Sequence, residues 1–119
     1  MEMEAEAYYY GRDAGWNPVV TICLLKNEAG HVAKGMAICS NLETPCKRKG
    51  RDIARGRALQ ALVREDNGLP VERFEACMTI SETDCHELPS FKSSFNPRLD
   101  AYEKGLVRMN QKRGNGNGV

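Results

Sequence analysis

The spacing of apolar positions changes character along this chain, and each change predicts an element. From Asn17 to Lys26 (NPVVTICLLK) the run is rich in β-branched and other apolar residues and predicts a strand. Asn27-Glu28-Ala29-Gly30 ends in glycine and suits a short hairpin turn. His31 to Ser40 predicts the return strand. Strict alternation there puts Val32, Lys34, Met36 and Ile38 on one face and Ala33, Gly35, Ala37 and Cys39 on the other. The second face is small enough for another element to approach closely, and the next helix is the obvious candidate.

That helix is predicted from Lys47 to Glu65, after a loop over Asn41 to Cys46. At about 100° per residue, Ile53, Gly56, Leu59 and Val63 fall on one side. Ala54, Ala58, Ala61 and Leu62 fall on the other. One apolar face is expected to cover the sheet and the alanine face to pack closely on a second helix, which favours an oligomer in so short a chain. Gly56 disfavours a helix interior by about 1 kcal/mol relative to alanine, so close approach of a backbone or ligand would explain it. Asp66-Asn67-Gly68 followed by Leu69-Pro70 predicts the stop, with glycine at the cap. Phe74 to Ser81 reads as a third strand and Glu82 to Ser94 as a loop. Asn96-Pro97 predicts the start of a second helix, with Leu99, Tyr102, Leu106 and Met109 as its apolar stripe and Gly105 weakening it. Ahead of all this, residues 1–16 are acidic and then carry Tyr8-Tyr9-Tyr10, which favours an extended segment. The fold class is α+β: a small antiparallel sheet, made of the hairpin plus a third strand, packed on the central helix, with a second helix at the C-terminal end. Residues 1–113 are expected to form a single ligand-binding domain, and 114–119 a disordered Gly/Asn tail.

Composition narrows the functions. The chain has 119 residues, 41% of them apolar and 28% charged, which is ordinary for one globular domain. A net charge of +1 argues against a general nucleic-acid coat protein. No apolar run approaches the roughly 20 residues of a membrane span. Glu2, Glu4 and Glu6 are the reverse of a signal-peptide start, so a cytoplasmic location is expected. The five cysteines are odd in number and lack C-x-x-C spacing, and Cys23, Cys39 and Cys77 sit in apolar, strand-like contexts. Cys85-His86 with His31 is too sparse for a zinc site.

Charge is concentrated in one place. Lys47, Arg48, Lys49, Arg51, Arg55 and Arg57 face only Asp52 in the first half of the central helix. Cations at a helix N-terminus oppose the helix dipole at about 0.3–1 kcal/mol each. A bound anion offsets that cost, and the free N–H groups already suit phosphate. The bland alternative is a solvated basic face. If the alanine face packs about a symmetry axis, Arg51, Arg55 and Arg57 of neighbouring chains converge on an anion. The rings of Phe91, Phe95, Trp16 and Tyr8 to Tyr10 would suit a ligand that also carries an aromatic base, with Asn96 or Asn110 reading its edge. Ordinary packing is the competing reading for those rings. Catalysis finds little support. Cys85 and His86 are adjacent and point apart in an extended chain, the carboxylates are scattered, and no phosphate-loop motif is present. Binding without chemistry and without a cofactor is the expectation. A nucleic-acid-binding module using the basic helix is the alternative, and a protein-binding role is a third class.

The hairpin, the helix KRKGRDIARGRALQAL and the later SSFNPRLDAYEKGL together resemble the phage anti-Thoeris sponge proteins of the first described type, over roughly residues 18–108. The resemblance implies a small α+β protein whose dimers assemble into a hexamer in the host cytoplasm. It implies sequestration, without degradation, of cyclic ADP-ribose-type signals and, in some members, of cyclic oligonucleotides at a separate site. On that reading Arg57, near Gly56 and Ala54, holds oligonucleotide phosphates where three subunits meet. The other pocket would use Phe91 or Phe95 on adenine, Asn96 on its edge and Arg108 or Arg113 on the pyrophosphate.

Overall fold

The computed structural model describes residues 3–12, 15–38, 46–67 and 93–111. Among these, four strands form one antiparallel sheet in chain order: β1 (Met3–Arg12), β2 (Pro18–Asn27), β3 (Val32–Ile38) and β4 (Ser94–Phe95). Helix α1 (Lys47–Arg64) and helix α2 (Ala101–Met109) complete the described elements. The expected strand Phe74–Ser81, residues 82–92 of the loop that follows it, the stop at Gly68 and the 114–119 tail lie outside the described residues, as do Phe91, Arg113, Cys39, Cys77, Cys85 and His86. Ser94, expected to end that loop, instead opens β4, paired with Lys34.

The predicted hairpin forms with the expected alternation. Its turn closes through Asn27, whose backbone N–H donates to the His31 carbonyl at 3.0 Å and whose Oδ1 accepts from the His31 N–H. Gly30 sits at φ 90°, a left-handed conformation that favours glycine. The strand beside it is the N-terminal one. Residues Glu6 to Gly11 pair with Leu25 to Val20, and buried Ala5, Ala7 and Tyr9 alternate with half-buried Glu4, Glu6, Tyr8 and Tyr10.

The two sheet faces have different layers. On one, Tyr9, Ile22, Leu24 and Met36 pack under α2, with Val107, Leu99 and Leu106 closing the cluster. On the other, Cys23, Leu25, Ala33 and Ala37 meet Ala54, Ala58, Ala61 and Leu62 of α1. The alanine face of α1 therefore covers the sheet and does not pack on a second helix, correcting the expectation. The reason is steric: the small face of β3 and the small face of α1 let the two backbones come close. A Cβ on Gly35 would fall under 3.0 Å from the Ala54 carbonyl and the Ala58 backbone. Farther up the helix, a Cβ on Gly50 would lie 2.5 Å from Thr21 Oγ1.

Helix α1 spans its predicted range to within one residue, but its cap differs, and α2 begins later than expected. In α1, Glu65 takes the left-handed cap (φ 55°), three residues ahead of the glycine predicted there. In α2 the N-cap is Asp100, not Asn96. Asp100 Oδ1 accepts from the Glu103 N–H at 2.8 Å, and Glu103 Oε1 accepts from the Asp100 N–H at 3.2 Å. This reciprocal box satisfies two donors at once. Leu99 and Leu106 of the expected stripe are packed, whereas Tyr102 and Met109 are exposed and Glu103 and Val107 are buried.

Candidate functional site

Helix α1 presents its basic half as the sequence suggests. Its N-cap, Cys46, makes no side-chain cap, and the first turn contains no acidic residue. Lys47, Arg48, Lys49 and Arg51 are exposed. Arg48 and Arg51 have no ion pair among the described residues.

The other arginines are built into the fold. Arg55 Nε meets Glu6 Oε1 on β1 at 3.0 Å. Their exposure keeps this pair weak, about 0–1 kcal/mol. Arg57 lies two residues on, about 200° around the helix, and reaches toward β3 rather than β1. There its Nη1 donates to the Met36 carbonyl at 2.7 Å. The backbone groups of Val32 face β4, since Asn96 bonds both of them, and Met36 follows with the same parity beyond the end of that two-residue strand. Arg57 thus caps a carbonyl on the sheet edge. Within one chain Arg55 and Arg57 are turned apart, and the alanine face about which the three arginines were expected to converge between chains lies against the sheet.

Gly56 faces outward, with nothing within 4 Å of where its Cβ would be, and exposed Ile53 and Val63 share that side. Gly56→Ala is therefore expected to stabilise the folded chain by about 1 kcal/mol, read as a higher urea midpoint at unchanged slope. A ligand or second chain that uses the glycine for close approach would bind the variant more weakly, so stability and binding would move in opposite directions.

Phe95 and Asn96 sit at the far end of α1. Asn96 Oδ1 accepts from the Val32 N–H at 3.0 Å, and its Nδ2 lies 3.1 Å from His31 Nδ1. Both amide atoms are engaged in joining β4 to β3. Phe95 packs on the α1 side of the sheet, and the His31 ring stands 5.3 Å from it. Arg108 is exposed on α2, on the opposite side, so a single chain does not bring Phe95 and Arg108 into one pocket. Asn110 caps its own helix, its Nδ2 donating to the Leu106 carbonyl.

Reactive groups are subdued. Burial pushes the Cys23 thiol up to about 12. Burial, and then the hydrogen bond to Glu6, hold the Tyr8 hydroxyl well above its usual range. No group of three or more potential metal ligands occurs among the described residues, nor any helix long and apolar enough to cross a membrane.

Sequence reasoning missed a row of cations and rings at the start of α1. Lys47 Nζ lies 5.0 Å from the Tyr10 ring centroid. The Arg12 guanidinium lies 5.7 Å from that ring and 5.5 Å from the ring of Trp16. The i, i+2 spacing of Tyr10 and Arg12 on a strand was the available signal. No family model, curated protein or solved structure matches this chain.

Proposed function

We propose that this chain is a non-catalytic binding protein that sequesters cyclic, phosphate-bearing nucleotide signals, namely cyclic ADP-ribose isomers and cyclic oligonucleotides. It does so in the host cytoplasm and thereby blocks anti-phage defence. The reading takes its ligand class from the family resemblance. The observation that supports it is the uncapped first turn of α1, in which Lys47, Arg48 and Lys49 are exposed and Lys47 lies beside the Tyr10 ring. Phosphate there neutralises charge that opposes the helix dipole and meets N–H groups that have no partner in the helix.

A small anion suits this face better than a duplex. The basic stretch, 47–57, extends only about 16 Å at 1.5 Å per residue. Glu6 already occupies its flank by pairing with Arg55. Duplex backbone presents a charge about every 1.7 Å and would run on past β1 and its glutamates. The outward side of α1, with Ile53, Gly56 and Val63, is where the proposed homo-oligomer, dimers assembling into a hexamer, would place a second chain.

Calorimetry with cyclic ADP-ribose isomers and cyclic oligonucleotides tests the function. Heat denaturation of the complex should return the ligand intact by mass spectrometry. Arg48→Glu combined with Arg51→Glu should weaken binding at least about tenfold, given roughly 1.5–3 kcal/mol per charge-assisted hydrogen bond. These positions are cleaner than Arg57, whose replacement also strips the Met36 carbonyl of its donor. No heat with either ligand class, together with salt-sensitive binding of duplex DNA, would replace this reading with a nucleic-acid-binding module.

A further inference from the structure

We propose that Trp16, Arg12, Tyr10 and Lys47 form a subsite for a nucleotide, with the base stacked on the Trp16 ring and a phosphate held by Lys47 and Arg12. The subsite rests on the proposed function for its biological ligand but not for its chemistry. Trp16 is 68% exposed, an unusual place for the largest side chain in a protein of this size. It is nonetheless held in position. Its carbonyl accepts from Arg12 Nη1 at 3.0 Å, and the same guanidinium packs 5.5 Å from its ring centroid. Its backbone is left-handed, at φ 66°, a conformation a bulky residue adopts only when its surroundings fix it.

Charge decides what such a site accepts. Two aromatic rings alone would suit a cation. Here Arg12 and Lys47 already lie against them, so an incoming cation meets like charge, whereas an anion is attracted. An acidic peptide supplies the anion but nothing to stack. A nucleotide supplies both, with a flat base for the exposed indole and a phosphate for the ammonium and guanidinium groups. Arg48 and Arg51, exposed and unpaired among the described residues, extend the positive field along α1 for further phosphates.

Trp16 is the only tryptophan in the chain, so its fluorescence reports on this subsite alone. AMP should quench it saturably in the full chain. Ribose 5-phosphate, which lacks the base, should leave it unchanged, and adenosine, which lacks the phosphate, should quench far more weakly. By calorimetry Trp16→Ala should weaken AMP binding roughly 5- to 150-fold, Trp16→Phe should retain most of it, and Lys47→Gln should lose roughly tenfold. Circular dichroism checks that each variant is folded. AMP that moves neither fluorescence nor heat, or Trp16→Ala that binds AMP as the parent does, overturns the subsite. So does quenching on concentration without ligand, which would put a second copy of the chain on the ring. Binding of cyclic ADP-ribose with Trp16 unmoved keeps the proposed function and removes this subsite. AMP quenching without heat from any cyclic nucleotide keeps the subsite and removes the function.

Discussion

Lys34→Met is expected to destabilise the fold by about 3–5 kcal/mol, a large part of the roughly 5–15 kcal/mol that holds a domain together. Glu103 is only 1% exposed, and its carboxylate depends on three donors. Oε2 lies 2.6 Å from Lys34 Nζ and accepts from the Tyr9 hydroxyl at 2.7 Å, while Oε1 accepts from the Asp100 N–H. Removing the ammonium leaves a carboxylate out of water without its counter-charge. The loss should appear as a lower urea midpoint at unchanged slope. The pair itself need not be stabilising relative to a neutral one, because two desolvated charges offset much of their own attraction. Lys34→Met combined with Glu103→Gln should therefore recover most of the loss. Glutamine keeps the carbonyl that accepts from Asp100 and offers an N–H to the Tyr9 oxygen. A Lys34→Met midpoint equal to the parent's would show that the fold does not depend on the contact between Lys34 and Glu103.

The smallest substitution in the sheet should be nearly as damaging. Gly35→Ala is expected to cost about 3 kcal/mol, at the upper end for overpacking. The added methyl would meet the Ala54 carbonyl, the Ala58 N–H and, at 2.9 Å, the Ala58 Cα. All three are helix backbone, so no side chain can swing aside, and α1 must lift off the sheet. The contacts of Ala33, Ala37 and Cys23 with Ala54 and Ala58 are then lost together. Ala58→Gly should not rescue the variant, since it removes none of the clashing atoms and adds about 1 kcal/mol of helix penalty. Rescue by Ala58→Gly, seen in thermal or urea unfolding, would show that the helix is held off the sheet by its side chains.

The hairpin and the close approach of helix to β3 were legible because alternation on a strand is unambiguous once its ends are marked by turns. The orientation of α1 was misread although its signal was present. Ala33, Gly35 and Ala37 are matched in size to Ala54, Ala58 and Ala61, and matched small faces meet each other. Assigning the bulkier Leu59 and Val63 side to the sheet ignored that fit. Strand β1 was hard to see because Glu-Ala-Glu-Ala suits a helix as well as an edge strand. Only Tyr8 to Tyr10 leaned toward an extended chain. At α2 the start signal Asn96-Pro97 competed with a true capping box four residues later, Asp100-x-x-Glu103. Lys34 between Val32 and Met36 was a sign of a buried partner, but nothing local could name Glu103, 69 residues away.

The basic face was legible from charge clustering alone. Its partners were not, because they come from β1 and β3, far away in sequence. Glu6 answers Arg55 and the Met36 carbonyl answers Arg57. Likewise Tyr10 and Trp16 were recognisable as rings, but not as neighbours of Lys47 until the helix start was seated over their end of the sheet.

The hydrogen bond from Arg57 to the Met36 carbonyl separates the arginines of α1 by when their motion is lost. A free arginine side chain carries about 2 kcal/mol of rotamer entropy. Arg48 and Arg51 stand in solvent and would surrender theirs only when a ligand arrives, so their attraction is partly cancelled at that moment. Arg57 surrenders much of it during folding, because its Nη1 is tied to the Met36 carbonyl. Replacing Arg57 is therefore felt first by the fold, whereas replacing Arg48 or Arg51 changes only the field around the helix start.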